Sequence, residues 1–409
     1  MAALYVDGPA PTNPTISSAV VYAAFVIFGL GSWITINSIF VQSSFLVYHL
    51  PESWSLTTWI VVAFQLANCC AMLLLRPLVR GPAPPWALLS LVLLLLGFGA
   101  SLALAVGVYR STAWVFGVDH SVGLLGMTFL AGFASCGSSL VFYPLASAFP
   151  RRYTTALAIG EGLSGSAAGV LGMLQNSGAL PRSFTTAFAF SATLCVTAML
   201  GLLFLDCRAR RLLKLSADRD EPTSPTSPLS QIHRVIGSES HDAGESQRPH
   251  IEPGYAGFVA LFVGAALNFG LLPSLNPMAC SHYADSQTVL LWSNAVIYGF
   301  DPISRLMTAC TSFRHLNVLT TLFSLAALLV VLVAKWPKAF TSFDSSWVVP
   351  LANVIFAACF GYARTMAFLM LKDSANATRL YWIAGMVLQA GSLCGSVASL
   401  LLVQVFKVF

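Results

Sequence analysis

The sequence predicts an all-α, polytopic membrane protein of eleven transmembrane helices, and three observations carry that expectation. First, 56% of the 409 residues are apolar and only 9% charged, with a mean hydropathy of +0.76. A soluble domain carries about 25% charge because its surface must be wet. Second, apolar runs of about 20 residues, enough to cross the hydrocarbon core, recur along the whole chain. Third, one long polar segment divides them, so six runs precede it and five follow.

Taken in order, the first segment, 1–17, holds Pro9, Pro11 and Pro14 and lacks the positive start and cleavage site of a signal peptide. The first apolar run is therefore expected to be a retained helix. Spans are placed near 18–46, 56–79, 86–108, 124–148, 154–175 and 184–205, then near 254–276, 286–308, 317–335, 347–371 and 382–406. The organisation predicted is a cytosolic segment (1–17), an N-terminal bundle (18–205), a disordered cytosolic linker (206–253) and a C-terminal bundle (254–409). The linker runs through RARRLLK, DRDEPTSPTSPLS and GSESHDAGESQRPH, which are too poor in large apolar residues to bury a core.

Basic residues set the orientation. With the amino terminus inside, Arg76, Arg80, Arg151, Arg152, Arg305, Arg314, Lys372, Arg379 and the basic residues of the linker fall on the inner side. Only Arg110, Arg182, Lys335, Lys338 and Lys407 fall outside. The positive-inside rule then gives a cytosolic amino terminus and an extracellular carboxyl terminus. The Asn376-Ala-Thr378 sequon lies on the cytosolic side in that arrangement and is expected to be unused.

Several patterns are better explained by packing than by chemistry. Gly160-Glu-Gly162-Leu-Ser-Gly165 matches the dinucleotide fingerprint, but that motif works at a strand-to-helix turn and here lies within an apolar span. Gly160, Ser164, Ala168 and Gly172 instead form a small-residue face for close helix approach, as do Gly391, Gly395 and Ser399. The nine cysteines and seven histidines show no metal-ligand or nucleophile–base spacing. No catalytic residue, metal, cofactor or nucleic-acid partner is expected, and the chain is not read as an enzyme.

Polar groups in hydrocarbon are costly unless they line a cavity or pair with one another. Here they are mostly amides, with Glu161 and Arg364 the ionised groups expected near span interiors. Amides donate and accept, which suits a neutral ligand with mixed hydrogen-bonding edges. Helix 1 is expected to break at Gly29-Leu-Gly31-Ser32 and helix 7 near Gly270, Pro273 and Pro277. Interrupted spans in corresponding positions of two halves point to a central transport site.

The segment GLGSWITINSIFVQSSFLVYHLPESWSL resembles the eukaryotic riboflavin transporter family, whose members read G-x-G-S-W, N-G-I-W-V-E-L-P and L-P-E-G-W-S-L there. SLVFYPL is similar to its N-V-T-F-L-P-F, GEGLSG to G-Q-G-L-S-A, and FGLLPSLNPMACSHY to N-G-V-L-P-x-x-Q-S-x-x-C. AGMVLQAGSLCG is similar to A-G-x-x-x-Q-x-G-S-L-x-G, and GYAR to a segment with Lys in the Arg position. Trp33, Asn37, Gly160, Gly162, Pro273, Tyr362, Gln389, Gly391 and Ser392 match the family's letters. Gln42 stands where the family has Glu, Glu161 where it has Gln, and Ser139 where it has Asn, which puts proton coupling through position 42 in doubt.

The resemblance implies eleven helices in an arrangement like equilibrative nucleoside transporters and the major facilitator fold. It also implies uptake of riboflavin across the plasma membrane, between the two bundles by alternating access. The partners expected are riboflavin and the lipid bilayer, with the chain a monomer. The residues expected to bind substrate are Asn37, Gln42, Gln65, Ser139, Tyr143, Asn268, Asn276, Tyr362, Arg364 and Gln389, with Trp33 as a stacking platform. Interhelical hydrogen bonding is the competing role for each. Arg364 either meets ligand carbonyl oxygens or pairs with Glu161 as a gate. A nucleoside or nucleobase carrier, or a non-transporting receptor or scaffold, are the alternative functions.

Overall fold

The computed structural model describes residues 18–79, 85–115, 117–147, 149, 151–217, 255–311, 313–341, 346–372 and 377–406. Before the polar segment the helices are α1 (Ser18–Leu46), α2 (Leu56–Val79), α3 (Trp86–Ala105), α4 (Val122–Ser147), α5 (Arg151–Asn176) and α6 (Phe184–Ala217). After it come α7 (Tyr255–Ala266), α8 (Leu272–Cys280), α9 (Ser286–Cys310), α10 (Leu316–Lys335), the short α11 (Pro337–Thr341), α12 (Val348–Lys372) and α13 (Ala377–Leu400). A π-helical turn, Leu267–Leu271, joins α7 to α8, and a second, Leu401–Val405, ends α13.

Among the described residues, ten helices are long and apolar enough to cross a membrane, with α7, the π-helical turn and α8 forming one of them. The chain is thus a helical, multi-pass membrane protein. The expected eleventh span corresponds to α9, which has the length but is too polar to meet that standard. Two features depart from a purely helical chain with a linker from residue 206. The α3–α4 connection holds an antiparallel hairpin, Ala113–Val115 with Val118–His120, and α6 continues past residue 205 to Ala217. The remaining linker and Asn376 of the sequon lie outside the described residues.

Buried apolar side chains gather into separate cores. One is built from residues of α1–α6 and includes Phe28, Phe64, Phe142 and Phe188. Another comes from α7–α13 and includes Phe323, Phe356 and Phe360. Between them α5 packs on α9, with α1 against α5 on one side and α12 against α9 on the other, and a small third core that includes Ile34, Ala168 and Leu291 spans the seam. Small residues allow this. A side chain at Gly160 would strike the Val26 carbonyl of α1, and one at Gly165 would strike the ring of Tyr298 on α9.

The expected break in helix 1 is not there: α1 runs unbroken through Gly29 and Gly31. Those glycines admit neighbours instead, Leu157 and Glu161 of α5 at Gly29 and Ala198 of α6 at Gly31. The interruption of helix 7 is real and takes the form of the π-helical turn. There Gly270 lies against the backbone of Gly395 and Ser396 on α13.

Candidate functional site

Two adjoining cavities, of about 470 and 540 Å³, occupy the seam between the helices before and after the polar segment. They share Trp33 and Asn37 of α1, Asn268 and Phe269 of the π-helical turn, and Ile297 and Tyr298 of α9. The extra residue of a π-helical turn displaces the helix register locally, a device common at functional sites. Here it places Asn268 and Phe269 together on the cavity wall.

Aromatic and ionic groups meet at Phe269. Its ring stacks on Trp33, with centroids 5.3 Å apart and planes at 29°, and the Arg364 guanidinium lies 6.0 Å from the ring centroid. Glu161 of α5 receives the surrounding cations. Its Oε2 accepts the Tyr143 hydroxyl at 2.8 Å and faces Arg305 Nη1 at 3.3 Å and Arg364 Nη2 at 3.5 Å. Arg305 also donates to the Ala158 carbonyl at 3.0 Å and pairs with Asp301 at 2.7 Å, one turn earlier on α9. Two carboxylates and two guanidinium groups thus form a charge-balanced cluster joining α5 to α9 and α12. A buried charge is tolerable only when paired in this way.

Of the residues expected to bind substrate, Trp33, Asn37, Asn268, Asn276 and Arg364 line the cavities, as does Glu161. Asn37 meanwhile donates to Ser164 at 2.9 Å, and Asn276 accepts from Asn353 at 3.2 Å. Tyr143 stands behind the wall. It donates to Glu161 and stacks on Phe368 with centroids 5.2 Å apart.

The other expected ligand contacts are not among the lining residues. Gln42 donates to Gln175 at 2.8 Å. Gln65 donates to Ser392 and to the Phe269 carbonyl, tying α2 to α13 and the π-helical turn. Tyr362 accepts from the backbone N–H of Phe313 at 2.9 Å, which anchors the α9–α10 connection. Ser139 and Gln389 carry buried polar atoms with no partner among the described residues, outside both linings.

Arg305 corrects the sequence reading most. It was expected in an inner loop, with Glu161 and Arg364 alone ionised within spans, yet it is buried on α9 beside Asp301. The signal that could have found the pair is their i,i+4 spacing with opposite charge inside a helical run. Phe269 also escaped notice, because an aromatic in an apolar span looks like ordinary core.

At one end of the cavities Asn294 of α9 donates to the Phe40 carbonyl and Ser44 of α1, both at 3.2 Å. Nearby, Tyr48 and Ser286 share a hydrogen bond of 2.9 Å. At the other end stands the Glu161 cluster. The cavities are therefore bracketed by polar contacts that cross the seam at both ends.

Known proteins resemble the chain along most of its length. The chain is 24% identical to human solute carrier family 52, riboflavin transporter, member 3, over 94% of this chain and 95% of that protein. Against the Danio rerio member 3-A the identity is 26%, over 95% and 96%. Against human member 2 it is 25%, over 98% and 97%. Since the model of the family "Solute carrier family 52, riboflavin transporter" matches residues 17–189 and 181–409, the chain belongs to that family of transporters.

Proposed function

We propose that the protein takes up riboflavin by alternating access, binding it in the seam between the two bundles. The observation that carries this reading is the cavity where Trp33, Phe269, Glu161 and Arg364 converge, in a member of a transporter family. Riboflavin has a flat three-ring system, a uracil-like edge and a ribityl chain with hydroxyls. Trp33 offers a platform for the ring, while Asn37, Asn268 and Asn276 offer amides to the edge and chain.

In this reading α9 is the eleventh span. Its Asp301 and Arg305 are hidden from lipid by α5 and α12, which is how so polar a helix can cross. The bundles are the helices before and after the polar segment, an arrangement like equilibrative nucleoside transporters and the major facilitator fold, and their two large cores support it. The protein is a plasma-membrane monomer with a cytosolic amino terminus and an extracellular carboxyl terminus, as the basic-residue distribution favours. The Asn294 and Tyr48 contacts then lie toward the outside and the contacts of the Glu161 cluster toward the cytosol. Alternating access requires the two sets to break in turn.

The test is uptake of labelled riboflavin by cells that cannot synthesise it, with uridine and flavin mononucleotide as competitors. Saturable uptake that uridine does not suppress is the expected result. Absence of saturable uptake from protein present at the cell surface overturns the reading.

A further inference from the structure

Four side chains lining the cavity of about 470 Å³ carry a buried polar atom with no hydrogen-bond partner among the described residues. They are Trp33 Nε1, Arg305 Nε, Arg364 Nε and Glu161 Oε1. Buried polar atoms are paired as a rule, because an unpaired one keeps its desolvation cost. Several such atoms around one cavity mark hydrogen-bonding capacity that an occupant can use. Three of them are donors and one is an acceptor.

The carboxylate is used unevenly. Oε2 takes the Tyr143 hydroxyl and faces both guanidinium groups, whereas Oε1 takes nothing. Glu161 therefore has one free acceptor, beside arginines that can only donate. The complement of an acceptor flanked by donors is an N–H flanked by carbonyl oxygens, which is an imide. Riboflavin has such a group on its pyrimidine ring, where N3–H lies between two carbonyls. Trp33, stacked on Phe269, lines the same cavity and supplies an aromatic face for the attached rings.

We propose that Glu161 Oε1 accepts the flavin N3–H while Arg364 donates to an adjacent carbonyl oxygen, making Glu161 a specificity-determining residue. This rests on the riboflavin reading above. It also assigns Arg305 its part: by pairing with Asp301 and Oε2, it helps hold the carboxylate with one oxygen left over. The family resemblance has glutamine at this position, but beside Arg305 and Arg364 of this chain glutamine cannot serve equally. Its carbonyl oxygen would be drawn to the Tyr143 and arginine donors, turning the NH₂ group toward the ligand N–H, donor against donor.

The test compares riboflavin with N3-methylriboflavin as competitors of labelled riboflavin uptake. In the parent protein the methylated compound should compete at least about tenfold more weakly, since it cannot satisfy the free carboxylate oxygen. In Glu161→Gln the apparent affinity for riboflavin should fall and the preference over the methylated compound should shrink toward one. Glu161→Asp keeps an acceptor and should keep the preference.

Equal competition in the parent overturns the proposal without any variant. So does a preference that survives in Glu161→Gln or vanishes in Glu161→Asp, because Glu161 would then only be holding the arginines. A parent that takes up no riboflavin defeats the proposed function itself. One that takes up riboflavin yet accepts both compounds alike defeats this inference alone.

Discussion

Gln42 and Glu161 anchor two buried polar clusters, and the clusters are built on opposite principles. Gln42 on α1 donates to Gln175 on α5, which in turn donates to the carbonyls of Pro181 and Ser183. That chain stays within the first six helices and outside both cavity linings. The Glu161 cluster crosses from α5 to α9 and α12, lines a cavity, and leaves polar atoms unpaired. The contrast teaches how to separate structural from ligand-binding polarity in a membrane protein: hydrogen bonds closed within one bundle hold it together, whereas unused capacity at the seam awaits an occupant.

Arg305→Ala tests the second cluster hardest. It removes the cation shared by Glu161 and Asp301, and breaking a buried pair by deleting one partner costs about 3–5 kcal/mol. Thermal unfolding of detergent-solubilised protein should shift down strongly, and transport should be lost. An unchanged unfolding temperature would mean that the cluster contributes nothing to holding α9 against α5.

Arg364→Ala comes next. It should raise the half-saturation concentration of riboflavin by about a hundredfold, the scale of a lost charge-assisted hydrogen bond. Exchanging the charges of Glu161 and Arg364 separates the roles of the pair. If the exchange fails to restore uptake, ligand contact is the role of Arg364. If it does restore uptake, the pair is a gate and the ligand reading of the cluster gives way.

The converse change at the other cluster, Gln42→Glu, should do the reverse. It would set a carboxylate oxygen against Gln175 Oε1, acceptor against acceptor, at upward of about 1–3 kcal/mol of stability because the buried group is charged. The half-saturation concentration should stay put. A large rise with unchanged stability would return Gln42 to the binding site.

The sequence showed most of the helices because each must fill the bilayer with apolar residues, a demand written over about 20 positions at a time. What escaped it depended on neighbours. Gly29 and Gly31 looked like a break in helix 1 because glycine serves both broken and closely packed helices, and only Leu157 of α5 and Ala198 of α6 show which. Arg305 looked like a loop residue because a lone arginine belongs in water, and its burial rests on Glu161, distant in sequence. At the site, Trp33, Asn37, Asn268, Asn276 and Arg364 were legible as polar or amphipathic groups in apolar runs, whereas Phe269 was not. Its place on the wall comes from a π-helical turn whose displaced Phe269 carbonyl accepts from Gln65, and no residue pattern announces that pairing.

Tyr362 offers the smallest expected effect. It matches the family's letter and lies two residues from Arg364, so the sequence reading placed it against the ligand. In the structure its hydroxyl accepts from the Phe313 backbone N–H at 2.9 Å and donates to the Thr311 carbonyl at 3.1 Å. Tyr362→Phe keeps the ring and removes these two bonds and the one accepted from the Thr311 hydroxyl at 3.1 Å, leaving those groups near a connection that water can reach. The loss should be about 1 kcal/mol, read as a small fall in unfolding temperature, with the half-saturation concentration unchanged. If that concentration instead rises tenfold while stability holds, the hydroxyl acts on the substrate pathway, and a closed local hydrogen bond is no longer sufficient grounds for calling a buried polar group structural.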